Sequence, residues 1–321
     1  MAKKYLIIQT AFIGDVILAT PIIETLKKND SKVQIDLLVK KENKSVVMGN
    51  QNIDKIFTLD KSKKLKSMLS LIRKFRKNKY DVILNLHRFA SSGLITVLSN
   101  AKQTRGFSKN PLSLFYTKKF EHNIESGIHE VDRNLKLIED LASELIRRPH
   151  LEISEDIRKG ISVYQSEKYY CLAPASVWQT KEAPIDVWKQ LIKKLSAPKT
   201  QIYLLGGPDD FDKSEKLKNE FDSETVVNLC GKLSLIESAA LMQNSERSYV
   251  NDSAPLHLAS SVNAAVTVFY CSTSPRFGFG PLSDDSKIIE VENLVCKPCG
   301  LHGHRSCPKG HFKCGNNLNL G

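Results

Sequence analysis

The sequence predicts an α/β protein built from two successive doubly wound parallel sheets, and three observations carry the prediction. Apolar runs of strand length alternate with amphipathic stretches from one end of the chain to the other. The runs are apolar at consecutive positions, the pattern of strands covered on both faces by helices. The alternation weakens only once, after Pro149, in the polar stretch Glu155 to Glu167. With 321 residues, 41% of them hydrophobic, the chain can fill two cores, each of about 150 residues. The expected domains are therefore 1–155 and 156–321.

Taken in order, the first half offers strands at Tyr5 to Thr10, Gln34 to Val39, Lys55 to Leu59, Asp81 to Leu86 and Gln103 to Phe107, with helical patterns at Pro21 to Lys28 and His129 to Leu141. Between the third and fourth strands, Lys61 to Lys79 holds nine cations and no anion. Leu65, Met68, Leu69, Leu71, Ile72 and Phe75 recur there at helical spacing, so the segment is an amphipathic helix with a cationic outer face. The second half offers strand Tyr169 to Ala173, helix Ile185 to Leu195, strand Gln201 to Leu205, helix Asp209 to Phe221 and strand Val226 to Leu229. Helix Leu235 to Met242 and strands Ser248 to Val250 and Ala265 to Tyr270 complete it.

Residues 1–155 carry 28 Lys and Arg against 17 Asp and Glu, which places nearly all of the net charge of +12 in the first half. The cationic helix is either a solvated face or a surface that docks on anionic lipid or substrate. Nucleic acid is not the expected partner, because no aromatic-rich strand set or reading motif accompanies the charge. No run of 18 apolar residues occurs and the first residues lack the pattern of a signal peptide, so the expected location is the cytoplasm. Cys171, Cys230 and Cys271 sit singly in apolar runs and read as core thiols.

In open parallel sheets, ligands bind beyond the carboxyl ends of strands, so the segments just after strands are the ones that matter. Four stand out. The first is Thr10-Ala-Phe-Ile-Gly14-Asp15, where a lone glycine and an acid occupy the place at which a nucleotide-cradling loop would hold several glycines and no carboxylate. The second, Ala173-Pro-Ala-Ser176-Val-Trp-Gln-Thr180-Lys181, offers hydroxyls and then a cation. In the third, Gly206-Gly207-Pro-Asp-Asp210, paired glycines permit close backbone approach. Asp209 there suits a helix start, and Asp210 suits either a helix start or the hydroxyls of a ribose. The fourth is Asn251-Asp252-Ser253-Ala254-Pro255-Leu-His257. Asp252 or Ser253 could be a plain helix cap and His257 an interior histidine, or all three could serve a site.

Together these segments resemble glycosyltransferase family 9, the ADP-heptose:lipopolysaccharide heptosyltransferases, over nearly the whole chain. The residues that carry the resemblance are Gly14-Asp15, Lys181, Gly206-Gly207-Pro208, and Asn251-Asp252-Ser253 with His257. Two positions depart from the family pattern: Glu182-Ala183-Pro184 follows the lysine where Trp-Pro is common, and Ala254 stands where Gly is common. The resemblance implies a GT-B fold of two Rossmann-like domains facing across a cleft. It also implies a nucleotide-sugar donor on the carboxyl-terminal domain, a lipopolysaccharide inner-core acceptor on the other, and inversion at the transferred sugar without a catalytic metal.

The resemblance implies a task for each residue as well. Asp15 would take the proton of the acceptor hydroxyl, with Thr10, Gly14 and Arg88 on the acceptor side. Lys181, with Ser176, Thr180 and the backbone near Asp252, Ser253 and Ala254, would meet the departing diphosphate. Asp252 would bind sugar hydroxyls, Asp210 the ribose beside Gly206 and Gly207, and the backbone near Leu233 the adenine, with His257 completing the donor set. His129-Glu130-Val-Asp-Arg133 also resembles a family segment, and by itself reads as a helix start with Glu130 favouring the dipole. The cationic helix would then hold a cytoplasmic enzyme peripherally on the anionic inner membrane.

Cys296, Cys299, Cys307 and Cys314, interleaved with His302, His304 and His311, form a cluster within 296–314. It reads as a structural zinc loop or an iron–sulfur ligand set, with redox pairing or simple packing as alternatives. Two rival functions remain in play besides a family 9 enzyme with another nucleotide sugar. A dinucleotide oxidoreductase would need Gly-x-Gly-x-x-Gly after the first strand, which is absent. A non-catalytic metal-binding interaction protein would centre on the terminal cysteines.

Overall fold

The structure is a computed structural model that describes residues 2–165, 168–221 and 224–321. The chain divides into two compact units, Met1–Glu152 and Ile153–Gly321. The division falls three residues before the expected boundary at 155.

In the first unit, six strands form one parallel sheet: β1 (Lys4–Ile8), β2 (Gln34–Lys40), β3 (Lys55–Leu59), β4 (Val82–Asn85), β5 (Gln103–Phe107) and β6 (Lys118–Phe120). Their order is β3-β2-β1-β4-β5-β6, so the sheet reverses direction of growth between β1 and β4. The register sets Ile8 of β1 between Leu38 of β2 and Asn85 of β4. The cationic segment forms helix Lys64–Asn78, which seats Met68, Leu71, Ile72 and Phe75 on Leu6, Ile8, Leu38 and Ile83 of the sheet. Phe75 meets Phe57 edge-on at 5.0 Å. Leu65 and Leu69, expected on the same apolar face, are instead 71% and 52% exposed.

The second unit repeats the plan with β7 (Lys168–Ala173), β8 (Thr200–Leu204), β9 (Val226–Asn228), β10 (Arg247–Asn251), β11 (Val266–Tyr270) and β12 (Ser286–Glu290). Read from β9, the order is β9-β8-β7-β10-β11-β12, the same sequence of positions as in the first sheet. Every pairing is parallel, and the reversal lies between β7 and β10. Helix Ile185–Leu195 buries Val187, Trp188, Leu191 and Ile192 against the sheet, and Trp188 meets Phe269 edge-on at 5.1 Å. Helix Leu235–Gln243 starts on a capping box, with Ser234 and Glu237 each satisfying the other's amide.

Several elements differ from the sequence reading. The stretch Glu155 to Glu167 opens with helix Glu155–Ile161, because Ser154 caps it by accepting from Ile157 N, and its last two residues lie outside the described ones. The segment His129 to Leu141 is helical over Glu130–Leu135 and tightens to a 3₁₀ turn at Lys136–Ile138. The segment Asp209 to Phe221 begins as a 3₁₀ turn and is α-helical only over Phe211–Lys218. Helix Ala90–Leu98 and the edge strands β6 and β12 carry no clear period in the sequence. Among the described residues, no helix is long and apolar enough to cross a membrane.

Candidate functional site

In a doubly wound sheet, the crevice for ligands opens where the strand order reverses. In the first unit that point lies beyond β1 and β4, and it gathers Thr10, Gly14, Asp15, His87 and Arg88. Gly14 and Asp15 belong to a short helix, Ile13–Ile17, so Gly14 has helical backbone. The Asp15 carboxylate folds back to accept a hydrogen bond from Phe12 N at 3.0 Å. Burial, and after it the charge of Glu130, pushes Asp15 up to about 6.

Glu130 is the partner that sequence reasoning missed. It begins helix Glu130–Leu135, as expected, but its side chain is buried and bound. Arg133 reaches it with Nη2 at 2.7 Å and Nε at 2.8 Å, and His122 Nε2 lies 3.0 Å away. Burial alone would raise Glu130, but the bonds and charges from His122 and Arg133 outweigh it and hold the group below its ordinary range. Glu130 is therefore a fixed negative charge in the interior beside Asp15. The Glu-x-x-Arg spacing, which puts both side chains on one helix face, was the available signal.

Cations gather at the same end of the sheet. Thr10 Oγ1 lies 3.0 Å from His87 Nδ1, and His87 is driven down to about 4 by burial and by Lys40, Lys61, Arg88 and Lys64. Lys40 stands over the exposed ring of Phe12 at 4.7 Å, and Arg88 is itself exposed over Phe89. An exposed carboxylate-lined pocket would repel an anion, whereas this cluster around one raised carboxylate would attract one.

In the second unit, the reversal lies beyond β7 and β10 and gathers Ser176, Thr180, Lys181, Asp252, Ser253 and Ala254. Lys181 Nζ pairs with Asp252 Oδ2 at 2.7 Å and donates to the Asp252 carbonyl at 3.1 Å. Thr273 Oγ1 donates to the same carboxylate oxygen at 2.6 Å. Asp252 is thus already engaged by Lys181 and Thr273, where the sequence offered it to sugar hydroxyls. Ser253 occupies the cap position of helix Ala254–Ser261, but its hydroxyl makes no capping bond and reaches only Asn251 O at 3.4 Å. Asn251 steadies the loop, since its Oδ1 accepts from Ala183 N at 2.9 Å and its Nδ2 donates to Pro174 O at 3.0 Å. Ser176 N donates to Glu182 Oε1 at 2.9 Å.

The remaining expected donor residues lie at neighbouring strand ends. Gly207 N donates to Asp210 Oδ2 at 2.8 Å, and a Cβ on Gly206 would come within 2.9 Å of Asp210. Gly206 must therefore be glycine, and one oxygen of Asp210 is spent on its own loop. Leu233 is half-buried after Gly231, which sits at φ +73° against Pro208. His257 is buried, with its ring 6.5 Å from that of Phe279.

The four clustered cysteines lie within electrostatic reach of one another, and among the described residues no group of three or more His, Cys, Asp or Glu side chains is already arranged to hold an ion. Cys314 packs in the core with Trp188, Phe269 and Cys271, and burial raises its thiol to about 11. Cys296 Sγ lies 4.0 Å from His311 Nε2, and Cys299 Sγ reaches the Cys296 carbonyl at 2.9 Å. Cys307 is held below its ordinary value by the backbone N–H of Phe312 and those of residues 309–311.

Comparison with known proteins bears on family and fold. The family described as glycosyltransferase family 9 (heptosyltransferase) matches residues 68–309. Lipopolysaccharide heptosyltransferase 3 of Escherichia coli (strain K12) is 25% identical over 82% of this chain and 81% of its own length. Among solved structures, a glycosyl transferase family 9 protein from Veillonella parvula DSM 2008 superposes with a TM-score of 0.80 at 23% identity, over 89% of this chain and 85% of that one. E. coli ADP-heptose lps heptosyltransferase II gives 0.78 at 20% identity, over 98% of both. The chain belongs to glycosyltransferase family 9, and its two doubly wound sheets are the Rossmann-like domains of a GT-B glycosyltransferase.

Proposed function

We propose that this family 9 glycosyltransferase moves a heptose, with inversion, from ADP-heptose to the inner core of lipopolysaccharide, with Asp15 as general base and no metal in the reaction. Asp15 carries the reading. A carboxylate raised to about 6 is ionised at neutral pH yet more basic than an ordinary aspartate, which suits it to accept a proton. The acceptor hydroxyl gives its proton to Asp15 as its oxygen bonds to the anomeric carbon. The bond from that carbon to the donor phosphate breaks, and ADP leaves. Attack opposite the leaving group inverts the centre.

Charge develops on the departing diphosphate, and Lys181, Thr180, Ser176 and the amides from Asp252 to Ala254 are the groups proposed to meet it. Gly206, Gly207 and Asp210 would take the ribose, the backbone at Leu233 the adenine, and His257 would support the donor loop from within. Thr10, Gly14 and Arg88, with Lys40 and Lys61 nearby, would receive an anionic acceptor. Helix Lys64–Asn78, with Leu65 and Leu69 exposed among its cations, would hold the enzyme on the anionic cytoplasmic face of the membrane that bears the acceptor.

The test pairs ligand selection with turnover. ADP should raise the melting temperature where UDP, GDP and NAD do not. Asp15→Asn should leave that stabilisation intact while transfer from ADP-heptose is lost. Full activity of Asp15→Asn would end the general-base assignment, and selective stabilisation by UDP would replace the donor.

A further inference from the structure

The cysteine-rich stretch has no assigned task, yet it touches the donor loop closely. Thr180 N donates to His304 O at 3.1 Å, and His304 N donates to Thr180 Oγ1 at 2.7 Å. On its other side, Thr180 accepts at its carbonyl from Ser272 N (3.2 Å), and its hydroxyl lies 3.0 Å from Ser272 Oγ. Ser272 O accepts from Cys299 N at 2.8 Å, and His304 Nε2 donates to Cys299 O at 2.8 Å. The bonds close a ring: Thr180, Ser272, Cys299, His304 and back to Thr180. Between Cys299 and His304, Gly303 sits at φ +71°. A Cβ there would come within 3.1 Å of Lys181 Cγ, 3.1 Å of Thr180 Oγ1 and 3.3 Å of Ser272 Oγ.

We infer that Cys299–His304 is a latch that positions Thr180 and Lys181, and that Gly303 and His304 are positioning residues for the diphosphate of the donor. Thr180 is the point of attachment: it is buried, and both its backbone amide and its hydroxyl are satisfied by residues from the latch or from Ser272. Lys181 is next in sequence; its Nζ pairs with Asp252, and its stem passes so close to Gly303 that a Cβ there would lie 3.1 Å from Cγ. Displacing the stem by a few tenths of an ångström would misdirect the ammonium, whose bonds are sensitive to distance and angle. The cysteine-rich segment thus serves the donor loop as a brace, which is a use for it that needs none of its thiols to react.

The latch rests on Lys181 meeting the diphosphate, and the experiment separates the two claims. Gly303→Ala is compared with Gly310→Ala, because Gly310 shares the left-handed backbone (φ +73°) and the cysteine-rich segment but has nothing within 4 Å of a Cβ. Binding of ADP, inorganic pyrophosphate and adenosine to the full chain is measured by calorimetry. Gly303→Ala should weaken ADP and pyrophosphate on the order of tenfold relative to Gly310→Ala, and leave adenosine unchanged. In turnover it should raise the KM for donor and leave the KM for acceptor in place. His304→Ala, which removes the tie to Cys299 without adding an atom, should weaken ADP by roughly threefold and carries the test if Gly303→Ala does not fold. Equal ADP affinity in the two glycine variants, or parallel loss of adenosine and ADP, would overturn the latch. A wild-type protein that binds ADP no better than adenosine would overturn the diphosphate role of Lys181 and the latch with it.

Discussion

Replacing Glu130 with Gln removes the buried negative charge that helps to raise Asp15, and the effect can be read in the pH dependence of transfer. Asp15 stands at about 6 against an ordinary 3.8, a gap worth on the order of 3 kcal/mol. Burial is the larger cause and Glu130 the second, so removing the Glu130 charge moves the acid limb of kcat/KM down from about pH 6. Arg133 then loses the carboxylate it pairs with. At pH 5, about a tenth of Asp15 is ionised in the native protein, and a fall of half a unit in the limb raises activity relative to the plateau there by roughly 2.5-fold. The plateau itself falls, because a less basic carboxylate accepts the proton less readily. A buried arginine without its partner also lowers stability, and Glu130→Gln/Arg133→Met restores neutrality in a form that can be assayed. Profiles from pH 4.5 to 8 in the native and variant proteins provide the measurement. An acid limb that stays at pH 6, or moves up, would refute the account of how Asp15 is tuned.

Asp15→Asn should lose about 10² to 10⁴ in kcat and yet melt higher at pH 7.5. The folded protein holds the Asp15 proton more tightly than the unfolded chain, so Asp15 favours the fold below pH 3.8 and that contribution is lost as pH rises to about 6. Thermal melts of both proteins at pH 5 and 7.5 check this, and the gap between them should widen with pH. Lys181→Ala should weaken ADP by about 2 kcal/mol while adenosine binds as before, as calorimetry would show. Leu65→Ser/Leu69→Ser should reduce binding to vesicles rich in anionic phospholipid without altering the melting temperature by more than about 1 °C, because both side chains are exposed. Washing with high salt should release the native protein from the same vesicles.

The central strands were legible because parallel strands buried on both faces are apolar at nearly every position, as β1 and β4 are, and β3 and β5 keep the bounds that the sequence marks. The edge strands β6 and β12 were not, since Lys118-Lys-Phe120 and Ser286-Lys-Ile-Ile-Glu290 face solvent on one side and read as polar. At the site, Asp15 and Lys181 could be found from their place after a strand. Their partners could not: Glu130 reaches Asp15, and His304 reaches Thr180, from segments more than one hundred residues away in sequence, and no local period records such a meeting. Leu65 and Leu69 fit the spacing of the apolar stripe, but only Met68, Leu71, Ile72 and Phe75 are covered by the sheet.

Both sheets share one strand order, so the difference between the two switch points lies in what the chain places there. Beyond β1, the amide that could face an anion, Phe12 N, is taken by Asp15. Beyond β8, Gly207 N is taken in the same way by Asp210, three residues on. Each acid closes its own loop and adds a negative charge, and neither loop is then suited to hold a phosphate as a glycine-rich loop would. The proposed diphosphate then falls to the segment beyond β7, where Lys181 supplies a cation and Thr180 is tied to His304, together with the start of helix Ala254–Ser261 beyond β10. On the proposed reading no phosphate competes for the loop beyond β1, so its carboxylate can be kept basic by burial and by Glu130, and two copies of one topology would supply a proton acceptor and a phosphate site.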